Sequence, residues 1–268
     1  MPIDPTDFCE LMDLASHGND IWVGESPTTP WGRMYGGHVA AQALRAAQLS
    51  VDGDHLVHSL HGYFIRGGDF NEPVRYLVDR IRNGRSFTTR RVVAMQSNGA
   101  IFNLSASFQR IEDQIDLGVL PAPGVPMPDD LDRDREWTPL LERWTAPADD
   151  SSVAAWFRVV GSVEDDPELH ACALTFASDD IPTEASFRVH PDAGERTDDD
   201  MGMHPNFVTA SLDHSIWFHR PGDATQHQLH TSTCQSLSGG RGLNRGDVFS
   251  LDGRHLATVQ QQVLIRRI

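Results

Sequence analysis

The chain repeats its own pattern at an offset of about 154 residues, and this limits its possible folds more than any other feature. Residues 64–69 read Phe-Ile-Arg-Gly-Gly-Asp, and residues 218–223 read Phe-His-Arg-Pro-Gly-Asp. Further matches follow in the same order: Gly99 with Gly253, Phe102 with Leu256, and Ala106 with Gln260. An ordered series of matches with nearly constant spacing predicts one structural unit used twice.

The domain organisation follows from this repeat. With 268 residues, the chain can hold two units of an ordinary domain size. A stretch rich in proline and acidic residues separates them, and such a composition is typical of a linker. We expect an N-terminal repeat over residues 1–112, a linker over 113–150 and a C-terminal repeat over 151–268.

Both units show the same order of elements, an apolar helix followed by strands. The first unit predicts a helix over 38–49, rich in alanine and leucine, and then strands over 57–65, 74–82, 86–96 and 101–110. The second unit predicts a helix over 168–177 and strands over 208–219, 229–237, 242–250 and 255–268. Tight-turn pairs such as Asn83-Gly84 join the strands as hairpins. The pattern predicts an α+β fold in which each helix is covered by an antiparallel meander.

Composition excludes several kinds of function. The net charge of −16 argues against non-specific binding of nucleic acid. All 22 basic residues are arginine, so no lysine chemistry is available. The three cysteines, Cys9, Cys172 and Cys234, show no disulfide or zinc spacing, which favours a reducing cytoplasm. We expect no signal peptide, since the first residues lack a basic and apolar region, and no membrane span.

Several short sequences resemble the acyl-CoA thioesterase II family. They are Gly36-Gly37-His38 with Gln42, the stretch 57–69, Arg82 to Phe87 with Arg90-Arg91-Val92, the stretch 106–109, Ser211 to Pro221, and Arg241-Gly242 with Arg245-Gly246. The resemblance implies a double hotdog fold and hydrolysis of acyl-CoA thioesters to fatty acid and coenzyme A, in fatty acid metabolism. It implies no covalent intermediate, no metal and no cofactor. It also implies a homodimer or a larger homo-oligomer.

The family's catalytic trio carries over to three positions. The aspartate after the second helix falls on Asp179, the hydroxyl residue on Ser211 and the glutamine of the last strand on Gln260. Many relatives have threonine at the hydroxyl position, so Ser211 keeps the hydroxyl and loses the methyl that restricts its rotamer. We expect Asp179 to orient and deprotonate a water that Ser211 and Gln260 also hold.

Other polar residues are candidates for substrate binding. His58 belongs to the family motif but is three residues from His61, so the two face opposite sides of a strand and are poor joint metal ligands. Arginine forks match phosphate groups, and we name Arg85 and Arg241 as candidate contacts to coenzyme A. The wider set of arginines is Arg66, Arg85, Arg90, Arg91, Arg241 and Arg245. Surface ion pairing is the alternative explanation for most of them.

Three other functions were compared with these motifs, and two of them stay open. A serine hydrolase needs a Gly-x-Ser-x-Gly elbow, which the sequence lacks. A hotdog acyl-CoA dehydratase would use the same scaffold, because fold alone does not fix function. A non-catalytic acyl-CoA-binding protein would bind acyl-CoA tightly and release no thiol.

Overall fold

The computed structural model describes residues 5, 7–161, 163, 165–193 and 206–268. The first repeat contains α1 (Phe8–Met12), β1 (Ala15–Ser16), β2 (Ile21–Gly24), α2 (Gly36–Gln48), β3 (His55–Phe64), β4 (Val74–Asn83), β5 (Phe87–Gln96) and β6 (Gly99–Arg110). A short 3-10 helix (Pro128–Asp130) and β7 (Leu141–Ala146) follow. The second repeat contains β8 (Ser152–Val159), α3 (Pro167–Ser178), α4 (Pro182–Val189), β9 (Phe207–Ser211), β10 (Asp213–Phe218), β11 (Gln228–Ser238), β12 (Arg241–Ser250) and β13 (His255–Arg267).

The α+β class and the repeated order of helix and strands are confirmed. The predicted helices and most predicted strands agree with the structure to within a few residues. The strand predicted over 208–219 is wrong as one element, because it is interrupted at Leu212. There the Asp213 side chain accepts a hydrogen bond from the backbone N–H of Gln262 at 2.8 Å. This contact lets β9 pair with β13 alone, while β10 pairs with both β13 and β3.

The strands of the described residues form one sheet, in which every pair is antiparallel. Its order is β1-β2-β4-β5-β6-β3-β10-β13-β12-β11-β8-β7, with β9 pairing β13 beside this path. The repeats meet where β3 pairs β10, with His61 opposite Ser215. These two residues correspond in the repeat, so the repeats are related by an approximate twofold axis at this pair.

The two long helices pack against each other and against the sheet. Most of α2 is buried, and its alanines allow close approach to neighbouring elements. Gln48 near the end of α2 accepts a hydrogen bond from the Cys172 thiol of α3 at 3.1 Å. A single apolar cluster includes residues of both helices and both halves of the sheet. The repeats therefore share one core, and the end of each helix lies beside the beginning of the other.

Part of the segment predicted as linker belongs to the sheet, since β7 pairs with β8 at one edge. Arg143 of β7 is mostly buried and forms ion pairs with Asp134 at 3.0 Å, Asp180 at 2.7 Å and Glu184 at 2.6 Å. The segment is thus attached to the region where α3 ends and α4 begins. The division of the chain at residues 112 and 150 stays a prediction.

Within the described ranges, no helix combines the length and the apolar character needed to cross a membrane. The opening segment, for which we expect no signal peptide, lies partly outside those ranges.

Candidate active site

Asp179 lies at the junction of the two long helices. It is the C-cap residue of α3, and its carboxylate faces the first turn of α2 from the other repeat, where it accepts a hydrogen bond from the backbone N–H of Gly37. The N-cap residue of α2, Tyr35, provides no side-chain cap. The carboxylate of Asp179 therefore caps α2 at the positive end of its dipole.

Two glycines make this close approach possible. A Cβ atom on Gly36 would lie 2.5 Å from Oδ2 of Asp179, and one on Gly37 would lie 2.3 Å from the Phe176 carbonyl oxygen. Both distances are far below a normal van der Waals contact. The pair Gly36-Gly37 therefore serves to bring the helix terminus against the acid.

Ser211 and Gln261 complete a hydrogen-bonded cluster with Asp179. The Ser211 hydroxyl donates to Oδ1 of Asp179 at 2.8 Å. The side-chain amide of Gln261 donates to the same Oδ1 at 2.7 Å and to the Ser211 hydroxyl at 2.8 Å. Three elements, α3, β9 and β13, thus direct an acid, a hydroxyl and an amide to one point.

The sequence prediction of Gln260 as the third member requires correction to Gln261. Gln260 is exposed on the opposite face of β13, whereas Gln261 is 1% exposed. In β13 the buried positions include Val259, Val263 and Ile265, so alternation places residue 261 inward. The self-match of Ala106 with Gln260 is also one residue out in the last strand.

The first repeat does not reproduce this cluster. Ser105 lies opposite His61 in β3, and Gln260 lies opposite Ser215 in β10. Because His61 and Ser215 correspond, the next residue in β6, Ala106, corresponds to Gln261. The first copy therefore has a methyl group where the second has the amide.

The place near Ala106 is filled by a buried arginine. Arg90, which lies opposite Ala106, is 1% exposed and donates to the Ser50 hydroxyl at 2.7 Å and to Oδ1 of Asn83 at 2.7 Å. At the end of α2 the C-cap residue is Leu49, where α3 has Asp179. Among the described residues, the acid–hydroxyl–amide cluster is thus formed in the second repeat alone.

Burial sets the charge state of Asp179. Desolvation raises the pKa of its carboxyl to about 6, against the opposing effects of the hydrogen bonds from Ser211, Gln261 and Gly37 and of the Arg33 charge. A carboxylate with a pKa near neutrality can both accept and return a proton at physiological pH. This property is typical of a general base.

The neighbouring acid has a different environment. Asp180 accepts hydrogen bonds from Arg143 at 2.7 Å and from the indole N–H of Trp137 at 3.1 Å. Both of its oxygens are thus occupied by permanent partners. Asp180 fixes the end of α3 against the Arg143 cluster and leaves Asp179 as the acid that faces Ser211 and Gln261.

The candidate substrate-binding residues lie apart from the cluster. His58 contacts the Ser107 hydroxyl at 2.8 Å, and partial burial lowers its pKa. Arg85 is exposed in the turn between β4 and β5, and Arg241 is exposed at the start of β12, opposite Leu264 of β13. Within the described residues, neither guanidinium has a hydrogen-bond or ion-pair partner.

The other candidate arginines are engaged elsewhere. Arg91 pairs with Asp79 at 2.5 Å, and Arg245 pairs with Asp247 at 3.3 Å. Arg66 donates to the backbone oxygen of Asn98, and Arg90 is buried. Of the six arginines named from the sequence, Arg85 and Arg241 thus have the least engaged guanidinium groups among the described residues. In the same part of the chain, no group of three or more His, Cys, Asp or Glu residues has the geometry of a metal site.

Comparisons with known proteins identify the family of this chain. The model of the acyl-CoA thioesterase N-terminal domain matches residues 25–109, and that of the acyl-CoA thioesterase C-terminal domain matches residues 114–265. Acyl-CoA thioesterase 2 of Haemophilus influenzae is 32% identical over 282 residues, which cover 96% of each chain. Acyl-coenzyme A thioesterase 8 of mouse is 32% identical over 93% of this chain and 83% of its own length.

Solved structures support the same family and fold. The crystal structure of an acyl-CoA thioesterase II, TesB2 from Mycobacterium marinum, superposes with a TM-score of 0.84 at 36% sequence identity and covers 97% of this chain and 98% of its own. A hotdog-fold protein from Alicyclobacillus acidocaldarius superposes with a TM-score of 0.79 at 18% identity, over 97% of this chain and 98% of its own, and supports the fold alone. The double hotdog prediction is confirmed.

Proposed function

We propose a water-activation mechanism for this chain, which belongs to the acyl-CoA thioesterase II family and is an acyl-CoA thioesterase. In this mechanism Asp179 is the general base, and Ser211 and Gln261 hold the attacking water with it. The observation that carries the proposal is the convergence of the Ser211 hydroxyl and the Gln261 amide on one oxygen of a buried carboxylate.

The hydrogen-bond donors and acceptors of the cluster can bind one water molecule. Ionised Asp179 accepts only, the Gln261 amide nitrogen donates only, and the Ser211 hydroxyl does both. A water that joins them donates a proton to Asp179 and accepts from the hydroxyl or the amide, in place of one of the hydrogen bonds within the cluster. Its second lone pair then faces the thioester carbonyl carbon.

The reaction needs no proton donor or acceptor other than Asp179 and the attacking water. The water oxygen forms a bond to the thioester carbon as Asp179 takes its proton, which gives a tetrahedral intermediate. The carbon–sulfur bond then breaks, and Asp179 returns the proton to the departing thiolate of coenzyme A. The products are a carboxylic acid, which ionises in water, and the free thiol.

The first turn of α2 is suited to stabilise the negative oxygen of that intermediate. The backbone N–H of Gly37 is directed at Asp179, and the other N–H groups of this turn have no intrahelical acceptor. Helix N-termini favour negative charge, so we assign the oxyanion contact to this turn.

For the coenzyme A moiety, we assign phosphate contacts to the guanidinium groups of Arg85 and Arg241, which have no partner among the described residues. His58, bonded to Ser107, stays a candidate for a contact with the substrate. Arg241 begins the strand next to β13, which carries Gln261. Replacing Arg241 with glutamine is expected to raise the KM for acyl-CoA and leave kcat little changed, because uniform binding energy is removed.

Thiol release from short-, medium- and long-chain acyl-CoA tests the reaction and gives the acyl preference. Release with one or more substrates supports the proposed hydrolysis. Hydration of an enoyl-CoA without thiol release would support the dehydratase alternative. Tight binding of acyl-CoA with neither reaction would support the binding-protein alternative.

The finer biological predictions belong to this proposal. The cysteines Cys9, Cys172 and Cys234 are free thiols, which favours a reducing cytoplasm. We propose a role in fatty acid metabolism, a homodimer or larger homo-oligomer, and repeats bounded at residues 112 and 150. Light scattering on the purified protein tests the oligomer, since a monomer has a mass of 29.7 kDa.

A further inference from the structure

A fully buried histidine lies directly behind Gln261. His214 of β10 is 0% exposed, and both of its ring nitrogens have side-chain partners. Nδ1 contacts Oε1 of Gln261, and Nε2 contacts the Ser178 hydroxyl at 2.8 Å. The ring therefore connects the end of α3, one residue before Asp179, with the amide of Gln261.

The positions of the protons in this chain of contacts follow from the chemistry of the partners. The Gln261 side chain lies 2.7 Å from a carboxylate oxygen of Asp179, which only accepts, so its nitrogen must face Asp179. Its carbonyl oxygen then faces His214. Because a carbonyl oxygen also only accepts, Nδ1 of His214 must carry a proton.

His214 has only this one ring proton. Burial lowers the pKa of the imidazole to about 4, so the ring is neutral at physiological pH. Nε2 is then an acceptor, and the hydroxyl of Ser178 donates to it. The hydrogen bonds run in one direction, from Ser178 through His214 and Gln261 to Asp179 and Ser211.

We infer that His214 is a positioning residue for the thioesterase reaction, which fixes the orientation of the Gln261 amide by donating from Nδ1 to its oxygen. The inference rests on the proposed function, in which that amide helps to hold the attacking water. Without the donor, Asp179 and Ser211 alone set the orientation of the amide, and the side chain is free to rotate away from them. The water site would then lose its amide donor.

The effect is expected on the chemical step rather than on substrate binding. His214 contacts Gln261 and Ser178 and is shielded from solvent, so it has no surface with which to touch coenzyme A. His214→Leu removes the donor, while the Ser178 hydroxyl keeps an acceptor in the Thr175 carbonyl oxygen at 2.9 Å. We expect kcat to fall about tenfold and KM to stay within about twofold of wild type.

His214→Asn provides a rescue variant. Its amide nitrogen is separated from Cα by the same number of bonds as Nδ1 of histidine, so it can donate to Gln261 from a similar place. We expect its kcat to return to within about threefold of wild type. His230→Asn is the matched control, since His230 is also buried, at 2% exposure, and lines a small cavity with Gln261 but forms no hydrogen bond to Asp179, Ser211 or Gln261.

The deciding experiment measures kcat and KM for His214→Leu and His214→Asn, each in the wild-type and in the Gln261→Ala background. We expect His214→Leu to change kcat by less than about twofold once Gln261 is absent, because coupled residues are not additive. Equal losses in both backgrounds, or an asparagine variant no more active than the leucine variant while both keep the wild-type circular dichroism, would overturn the inference. Wild-type kcat in Gln261→Ala alone would instead refute the proposed water site.

Discussion

Replacing Gln261 with alanine is expected to lower kcat by about 10- to 100-fold. The amide of Gln261 donates to Asp179 at 2.7 Å and to Ser211 at 2.8 Å. A hydrogen bond to a charged group contributes about 1.5–3 kcal/mol. If that contribution is made to the transition state, its loss corresponds to about 10- to 100-fold in rate.

The neighbouring glutamine provides the matched control. Gln260→Ala removes the same side chain from the exposed face of β13, and we expect its kcat to stay within about twofold of wild type. The assay is thiol release at saturating acyl-CoA, with thermal unfolding of each variant measured in parallel. Gln261→Met keeps most of the side-chain volume and separates loss of the amide from loss of packing. A larger loss of kcat in Gln260→Ala than in Gln261→Ala would refute the assignment of the inward face.

Three further predictions follow from the cluster and its surroundings. Ser211→Thr keeps the hydroxyl and should keep kcat within about threefold of wild type, while Ser211→Ala should lower kcat about tenfold without abolishing it. An acyl adduct on Ser211, seen by intact-protein mass spectrometry during turnover, would contradict attack by water. The base must be ionised to act, so kcat should rise with pH through about 6, the pKa of Asp179, and level off above it. A kcat that stays constant from pH 5 to 8 would contradict the role of Asp179 as general base. Arg143→Met should lower the free energy of unfolding in urea by about 3–5 kcal/mol, because it removes the shared ion-pair partner of Asp134, Asp180 and Glu184. Arg133→Met, which removes an exposed partner of Glu142, should cost less than about 1 kcal/mol. Equal losses would contradict the importance of the Arg143 cluster.

The repeat and the turn residues were sufficient to predict most of the fold. Each predicted helix lies within a residue or two of α2 or α3, because alanine and leucine in those segments agree with their buried environment. The interruption at Leu212 was not predictable from periodicity. It depends on the Asp213 side chain bonding to the backbone of Gln262, a contact between distant parts of the chain.

The resemblance names two residues that the structure brings together and one, Gln260, that lies on the exposed face of its strand. Asp179 and Ser211 are in contact as the resemblance implies, although their roles stay predictions. The apolar residues Val259, Val263 and Ile265 indicate which face of β13 is buried, and this alternation points to Gln261 where the resemblance pointed to Gln260. Neither the resemblance nor the alternation predicts that Asp179 contacts Gly36 and Gly37 of the other repeat, because that contact exists only once the two helices are packed.

The role of the Asp179 carboxylate is isolated best by comparing thiol release by wild type and by Asp179→Asn. Asparagine has nearly the same shape as aspartate but cannot take a proton from water. We expect kcat to fall by about 10²- to 10⁴-fold, the usual contribution of a general base, with the protein still folded and the KM little changed. A folded Asp179→Asn protein with kcat within about threefold of wild type would show that this carboxylate does not activate the attacking water.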